Sequence, residues 1–239
     1  MVKSDCAVSH AMVKEILQCV DQDWLECLEE EKLAFALEGT YYVLAFSLAL
    51  KGEELPLIEL RGIHKHWNQS VSHPKSHVVV ALLGRFKNEL GESHHLMPVL
   101  YKMPRGLKPG KWVERTLQSY SRLNLTSGYM FRTPEGFKMK SKVMEGKFHD
   151  RLELIKNSRL DLIAPDLEVV EEYGVSRSFR QGGTSEATNN GVPPLVIELN
   201  GRWRKSNQSG ASRPNITVRE HYTDIGLVLD QLLEFSRFL

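Results

Sequence analysis

The chain has 239 residues, 41% hydrophobic and 26% charged, which is enough for one domain of ordinary size with the composition of a soluble globular protein. Its longest apolar run, YYVLAFSLAL at residues 41–50, is about half the length of a membrane span, and the N-terminus lacks the basic-then-apolar order of a signal peptide. We therefore expect a cytoplasmic or nuclear protein. Cys6, Cys19 and Cys27 have no metal-type spacing, which argues against both disulfides and a zinc site.

The net charge of +1 hides an asymmetry along the chain. Residues 1–60 hold 4 basic and 12 acidic side chains, a net charge of −8, whereas residues 61–239 hold 27 basic and 18 acidic side chains, a net charge of +9. The basic residues cluster in segments 102–115, 138–147 and 202–205. Such clusters are typical of a surface that contacts phosphates, although each one alone is equally compatible with a solvated loop face.

Helical periodicity dominates the first 50 residues. Apolar residues at helical spacing predict one or two amphipathic helices over residues 8–32. Residues 37–50 are apolar on nearly every face and predict a central buried helix. Two β-type runs follow at residues 77–84 and 94–101, and the polar segment between them predicts a hairpin.

The second half of the chain is predicted to be helical again. The apolar pattern from Trp112 to Leu123 indicates one helix, and residues 144–160 indicate another. A helix that starts after Arg180 should end at Gly191, and Pro193–Pro194 should open the next one. An apolar stripe from residue 225 to residue 239 predicts a last helix. The expected fold class is mainly α with a small antiparallel β-sheet (α+β).

The run RSFRQGGTSEATNNGVPPLVIELNGRWRK, residues 177–205, followed by Tyr222 in REHYTDI, resembles the C-terminal catalytic domain of tyrosine recombinases, also called phage-type integrases. It looks closest to the divergent eukaryotic mobile-element branch, where an R-S-x-R-x-G run, an N-N-G-V turn and an R-W-R-K end occur in this order. The resemblance covers roughly residue 35 to the end. It implies the catalytic-domain fold of DNA breaking-rejoining enzymes over residues 36–239, after an N-terminal helical extension at residues 1–35. The core-binding domain that usually precedes it is expected to be absent.

The resemblance implies a reaction on double-stranded DNA without a metal or nucleotide cofactor. A tyrosine oxygen attacks a backbone phosphate, a 3′-phosphotyrosyl bond forms and the 5′-hydroxyl leaves; the reverse step joins a new strand. A free phenol has a pKa of about 10, so on the order of one in a thousand is ionised at neutral pH. The protein must therefore hold the nucleophile in line and stabilise the charge on the phosphorane.

Three residues carry the motif most directly. Tyr222 matches the nucleophile; the alternative is a core or interface tyrosine. Arg180 matches the arginine of the family's H-x-x-R motif, and the alternative is a structural salt bridge to Glu186 or to the acidic N-terminal helices. Arg177 stands where most members have histidine, so phosphate contact is retained but a proton-transfer role is not supported.

Two further positions match less specifically. Trp203 falls where the family carries histidine or tryptophan, and an indole N–H can donate to a nonbridging phosphate oxygen. A register shift of one residue would place Arg202 there instead. Lys87, near the tip of the predicted hairpin, matches the mobile lysine that protonates the leaving 5′-oxygen. The alternative for Trp203 is a tryptophan that only fills the core, and the alternative for Lys87 is an ordinary exposed lysine.

The segment LKGEEL, residues 50–55, departs from the family pattern. The family's first arginine lies in an R-x-x-E-L context, and here Lys51 occupies its position, with Glu54 and Leu55 in place. Lysine keeps the charge but replaces a two-pronged donor with a point donor. Loss of one such donor typically costs on the order of 3 kcal/mol of transition-state stabilisation. A slow enzyme, compensation by a residue such as Arg61, and loss of activity are the three explanations.

The expected function is site-specific DNA cleavage and rejoining for the integration or excision of a mobile element. The alternatives are a DNA-binding relative that has lost cleavage, a topoisomerase of the same mechanism, and a helical interaction domain without a nucleic-acid role. The stripe at residues 225–238 is expected either to dock on a neighbouring protomer on DNA or to pack on the chain's own core.

Overall fold

The computed structural model of the protein describes residues 6–65, 77–84, 93–201, 233 and 235–239. Within them the helices and strands are α1 (His10–Glu26), α2 (Lys32–Ser47), β1 (Ile58–Lys65), β2 (His77–Gly84), β3 (Ser93–Leu100), α3 (Pro109–Arg122), α4 (Ser141–Ser158), α5 (Val169–Glu172), α6 (Ser178–Asn189) and α7 (Pro194–Gly201). The chain is therefore mainly helical with one small antiparallel sheet, which confirms the predicted α+β class.

Helix α2 lies at the centre of the fold. All its residues from Ala36 to Ser47 are buried, and it packs against α1, α3 and α6. The prediction of a central buried helix is confirmed. The helix begins earlier than predicted, at Lys32, and its first turn is only partly buried, unlike the fully buried stretch from Ala36 onward.

The predicted helical region at residues 8–32 resolves into one long helix and a turn. The Ser9 hydroxyl caps α1 by accepting a hydrogen bond from the Met12 backbone N–H at 3.2 Å. The apolar face of α1 is buried against α2. After α1 ends at Glu26, a 3₁₀ turn at Glu29–Glu31 leads directly into α2.

Strands β2 and β3 form the predicted hairpin pair, with His77 opposite Leu100 and Gly84 opposite Ser93. Strand β1 was not predicted. Its sequence IELRGIHK does not alternate cleanly, and the pairing with β2 is irregular between Ile58 and Ile63. The sheet order β1-β2-β3 places β2 in the middle, which fits its near-continuous run of buried valines.

The prediction that a helix starts after Arg180 is wrong, because α6 already begins at Ser178. The Ser178 hydroxyl accepts a hydrogen bond from the Gly174 backbone N–H, and the Ser178 N–H donates to the Gly174 carbonyl, so the preceding turn runs straight into the helix. The predicted end at Gly191 is confirmed by its φ of +79°, and α7 opens at Pro194 as predicted.

Both ends of the described chain join one hydrophobic core. The buried face of α1 belongs to it, as do Leu233, Phe235 and Leu239 near the C-terminus. Residues 235–238 are helical, and the predicted last helix before residue 233 lies outside the described residues. The predicted boundary at residues 35/36 falls inside α2 and stays a prediction.

Two expectations from composition can be compared with the structure. No helix of the described segments is long and apolar enough to cross a membrane. Cys6, Cys19 and Cys27 are partly buried, and none of them forms a disulfide bond within the described residues.

Candidate phosphate-binding site

The backbone turns sharply at the end of α2, just before Lys51. The Leu50 N–H donates to the Ala45 carbonyl at 2.9 Å, and the Ala49 N–H donates to the Phe46 carbonyl at 3.1 Å. Ala49 has a φ of +47°, so it takes the left-handed position that usually favours glycine at a helix end. This closed helix end directs Lys51 into a turn, in which the Glu54 N–H donates to the Lys51 carbonyl at 2.9 Å.

Gly52 fixes that turn against the segment before α6. Its N–H donates to the Val175 carbonyl at 3.0 Å, and its carbonyl accepts from the Tyr41 hydroxyl at 3.0 Å. A Cβ at Gly52 would lie 2.7 Å from the Val175 oxygen and 2.8 Å from the Tyr41 oxygen. Burial raises the pKa of the Tyr41 phenol, so its hydroxyl stays protonated and remains a donor.

The Glu54 carboxylate links this turn to α6. Its Oε2 accepts from the Lys51 backbone N–H at 2.8 Å and lies 3.6 Å from Nη1 of Arg180. The side chains of Glu54 and Arg180 are only 14% and 13% exposed, so water screens their attraction less than at the surface. Two residues far apart in the sequence, Lys51 and Arg180, thus meet at one carboxylate oxygen.

Buried neighbours orient the first turn of α6. The Ser178 carbonyl accepts from the Val8 N–H at 3.1 Å, and the Phe179 ring stacks on Tyr42 with a centroid distance of 5.7 Å. Both Ser178 and Phe179 are fully buried. Because they face the core, Arg177 at the N-cap is exposed and Arg180 is partly exposed.

The glycine pair in the motif allows α6 to approach the core closely. A Cβ at Gly182 would collide with the Val8 carbonyl oxygen, and one at Gly183 would collide with the Phe46 carbonyl oxygen. These glycines therefore have a packing role. The sequence alone carries no signal for which backbones this pair would meet.

Helix α7 also reaches the end of α2. The buried Asn200 amide donates to the Leu48 carbonyl at 3.1 Å, which satisfies one of the carbonyls that the helix end leaves open.

Of the six predicted site residues, Lys51, Arg177 and Arg180 are described. Tyr222, Lys87 and Trp203, and Arg202 as the alternative to Trp203, lie outside the described residues.

The structure shows the ion pairs of two residues that the sequence suggested as alternatives, Glu186 and Arg61. Glu186, the proposed structural partner of Arg180, forms an ion pair with Arg105. Arg61, the candidate replacement for the family's first arginine, lies on β1 with its side chain 71% exposed and pairs with Glu59 at 2.5 Å. The linking role of Glu54 and the anchoring role of Tyr41 could not be predicted from the sequence, because both depend on contacts between distant segments.

Acidic side chains of the N-terminal region form ion pairs with part of the basic remainder of the chain. Lys111 and Arg115, both in the basic segment 102–115, pair with Asp21 of α1 at 2.7 and 2.5 Å. Although burial opposes ionisation of Asp21, these two cations hold its pKa below the ordinary value. Further pairs of the same kind are Asp23–Arg151, Glu38–Arg151, Glu38–Lys147, Glu15–Arg159 and Glu29–Arg122.

Comparison with known proteins adds no assignment to this geometry. No protein-family model matches the chain, and no curated protein matches it significantly. Among the described side chains, no group of three or more His, Cys, Asp or Glu is arranged to hold a metal ion.

Proposed function

We propose that this chain is a tyrosine recombinase catalytic domain that cleaves and rejoins double-stranded DNA through a 3′-phosphotyrosyl intermediate. The observation that supports this most is the Glu54 carboxylate, which joins the Lys51 turn to Arg180. The resemblance implies that both cations bind one phosphate, and the shared carboxylate brings the Lys51 backbone close to the Arg180 guanidinium. Arg177, one turn before Arg180 on α6, adds an exposed cation to the same end of the helix.

Each residue then has a defined task in the cleavage step. The Arg180 guanidinium donates two parallel hydrogen bonds to nonbridging oxygens, and Lys51 adds a point charge. The Tyr222 hydroxyl loses its proton to water as its oxygen forms a bond to phosphorus, while the bond from phosphorus to the 5′-oxygen breaks. Lys87 gives its proton to that leaving oxygen. The indole N–H of Trp203 donates to a nonbridging oxygen.

Glu54 is proposed to preorganise the arginine. An exposed arginine samples many rotamers, whereas a carboxylate within ion-pair distance restricts the guanidinium before the phosphate arrives. The same carboxylate accepts from the backbone N–H of Lys51, so it holds the Lys51 backbone near the guanidinium of Arg180.

A nicked suicide duplex carrying the element's terminal repeat tests the proposal. Release of a short strand after cleavage prevents rejoining, so the wild-type protein should accumulate a covalent DNA adduct. Tyr222→Phe should form none, because the nucleophilic oxygen is missing. Tyr129→Phe, which removes a partly buried hydroxyl elsewhere, serves as the matched control and should react like the wild type. Absence of an adduct with the wild-type protein would contradict the proposal.

A second candidate is a DNA-binding relative that has lost cleavage. Lys51 in place of the family's arginine favours this candidate, because a lysine ammonium stabilises the phosphorane less well than the two parallel N–H donors of a guanidinium. Salt-sensitive DNA binding without any adduct would support this candidate.

The variant Lys51→Arg tests whether the lysine weakens the cleavage activity of the protein. If the lysine limits the reaction, the rate of adduct formation should rise, by up to about a hundredfold. Gel quantification of the adduct over time measures this rate. An unchanged or lower rate would show that another group already compensates at this position.

Assembly on DNA through the last helix is also part of the proposal. Leu233, Phe235 and Leu239 are buried in the chain's own core, so exchange of this segment would require them to leave it. Sedimentation of the protein on a duplex with two repeats should give a complex of more than one protomer. A single protomer per duplex at saturating protein would contradict assembly.

The compartment is proposed to be the one that holds the target DNA, nuclear or cytoplasmic.

A further inference from the structure

A short hairpin at residues 131–139 carries the most exposed large apolar side chain of the described segments. That side chain is Phe137, which is 72% exposed. The Thr133 N–H donates to the Phe137 carbonyl at 2.8 Å, and the Gly136 N–H donates to the Thr133 carbonyl at 2.9 Å. Gly136 has a φ of +89°, which permits the tight turn beside Phe137.

The base of this hairpin is fixed in the core. Met130 and Phe131 are fully buried, and the Tyr120 hydroxyl donates to the Met130 carbonyl at 2.5 Å. The Met139 N–H donates to the Phe131 carbonyl at 2.9 Å, which closes the hairpin. Phe137 is therefore exposed because a hydrogen-bonded turn on a buried base holds it in the solvent.

Three lysines follow the aromatic tip. Lys138, Lys140 and Lys142 are exposed, and within the described residues they have no ion-pair partner. In contrast, Lys111 and Lys147 on the neighbouring helices are paired with carboxylates. Residues 130–144 contain four basic side chains and one carboxylate, so the hairpin and its flank are strongly positive.

The shape and charge of this feature favour DNA as its partner. A stable protein interface typically buries about 800 Å² on each side, and one ring on a narrow hairpin cannot supply that area. A single apolar side chain backed by lysines instead matches the wedges with which proteins separate neighbouring base pairs. We propose that Phe137 inserts between base pairs of bound DNA while Lys138, Lys140 and Lys142 contact backbone phosphates. This inference rests on the proposed function, because it requires DNA as the substrate.

A duplex containing 2-aminopurine tests the wedge directly, because this base becomes more fluorescent when it is unstacked. The full-length chain at low salt should increase the fluorescence of a random-sequence duplex. Phe137→Ala should abolish the increase and weaken binding, measured by anisotropy, by roughly tenfold, as expected for one aromatic contact with a base. Phe137→Trp should retain both. Leu154→Ala, at a 54% exposed site on α4, should change neither.

The lysines are tested through salt dependence. Replacing Lys138, Lys140 and Lys142 together with Gln should reduce the slope of log affinity against log salt by about three. Because these residues and Phe137 are exposed, thermal melting of the variants should match that of the wild type.

The outcomes separate this inference from the proposed function. Equal DNA binding by wild type and Phe137→Ala, with no fluorescence change, would overturn the wedge and leave DNA cleavage standing. No DNA binding by the wild type at low salt would overturn both. Phe137-dependent binding to vesicles of anionic phospholipid, without any effect on DNA, would also overturn it and assign the hairpin to a membrane surface.

Discussion

Gly52 lies where two segments distant in the sequence meet, and both of its backbone polar groups are occupied by them. A side chain at this position has no space, because its Cβ would approach the Val175 and Tyr41 oxygens to 2.7 and 2.8 Å. The turn that carries Lys51 and Glu54 is therefore held in place by the backbone of one small residue.

Gly52→Ala should lower the free energy of unfolding by about 1–3 kcal/mol, since the turn must move and both hydrogen bonds weaken. It should also slow adduct formation, because the Lys51 turn no longer faces Arg180 in the same way. Urea unfolding and the suicide duplex measure the two effects. Gly146→Ala on α4, where nothing lies within 4 Å of the added Cβ, is the matched control and should stabilise the helix slightly. Equal stability of Gly52→Ala and wild type would contradict this account of the turn.

His10 predicts a pH dependence of stability. Burial lowers its pKa to about 4, and the cations Arg105 and Lys14 add to the effect. The unfolded chain takes up this proton near the ordinary pKa of about 6.5. Stability is therefore unaffected by this group above pH 6.5 and falls as the pH drops from about 6.5 to about 4, by up to about 3 kcal/mol.

His10→Leu should remove that part of the pH dependence. The free energy of unfolding in urea, measured for both proteins across this range, isolates the histidine because the carboxylates are common to both. Identical pH profiles would show that His10 is not buried in its neutral form.

At the scale of elements, Glu38 joins three helices. This residue on α2 is 2% exposed and accepts from Arg151 Nε on α4 at 2.8 Å, and Arg151 also pairs with Asp23 on α1 at 2.5 Å. These carboxylates raise the pKa of Arg151 despite its partial burial, so the guanidinium stays charged.

Glu38→Gln should destabilise the protein by about 3 kcal/mol, because it leaves a partly buried arginine without its main partner. Chemical unfolding measures the loss. The exposed pair Glu29–Arg122 provides the control, and Glu29→Gln should change stability by less than about 1 kcal/mol. A similar small change for both variants would contradict the structural role of Glu38.

Elements were predictable where one segment alone determines them. The buried run of α2, the valines of β2, and the Gly191 and Pro194 signals each carry their information locally. Strand β1 was missed because its pairing with β2 decides its structure and its own pattern does not. The start of α6 was misplaced because the Ser178 hydrogen bond to Gly174 extends the helix beyond the arginine that marked it in the motif.

Over the described chain, the charge asymmetry also gives rise to ion pairs between the acidic and the basic regions. The sequence predicted a basic surface for phosphates, and part of that surface instead binds the acidic N-terminal helices, as Asp21 does with Lys111 and Arg115. Composition reveals the two opposite charges but not that they face each other, since that depends on the tertiary arrangement. The same holds for the candidate site, where the motif supplied Arg180 and Lys51 and only the fold supplied Glu54 between them.

The proposed function requires that Arg180 bind the phosphate that is cleaved, and the rate of adduct formation by Arg180→Ala on the suicide duplex measures this requirement. Arg159→Ala, which removes an ion-paired arginine at the C-terminal end of α4, is the control. The proposed function predicts a loss of about a hundredfold or more for Arg180→Ala with DNA binding retained, and a wild-type rate for Arg159→Ala. A folded Arg180→Ala protein that forms the adduct at the wild-type rate would contradict it.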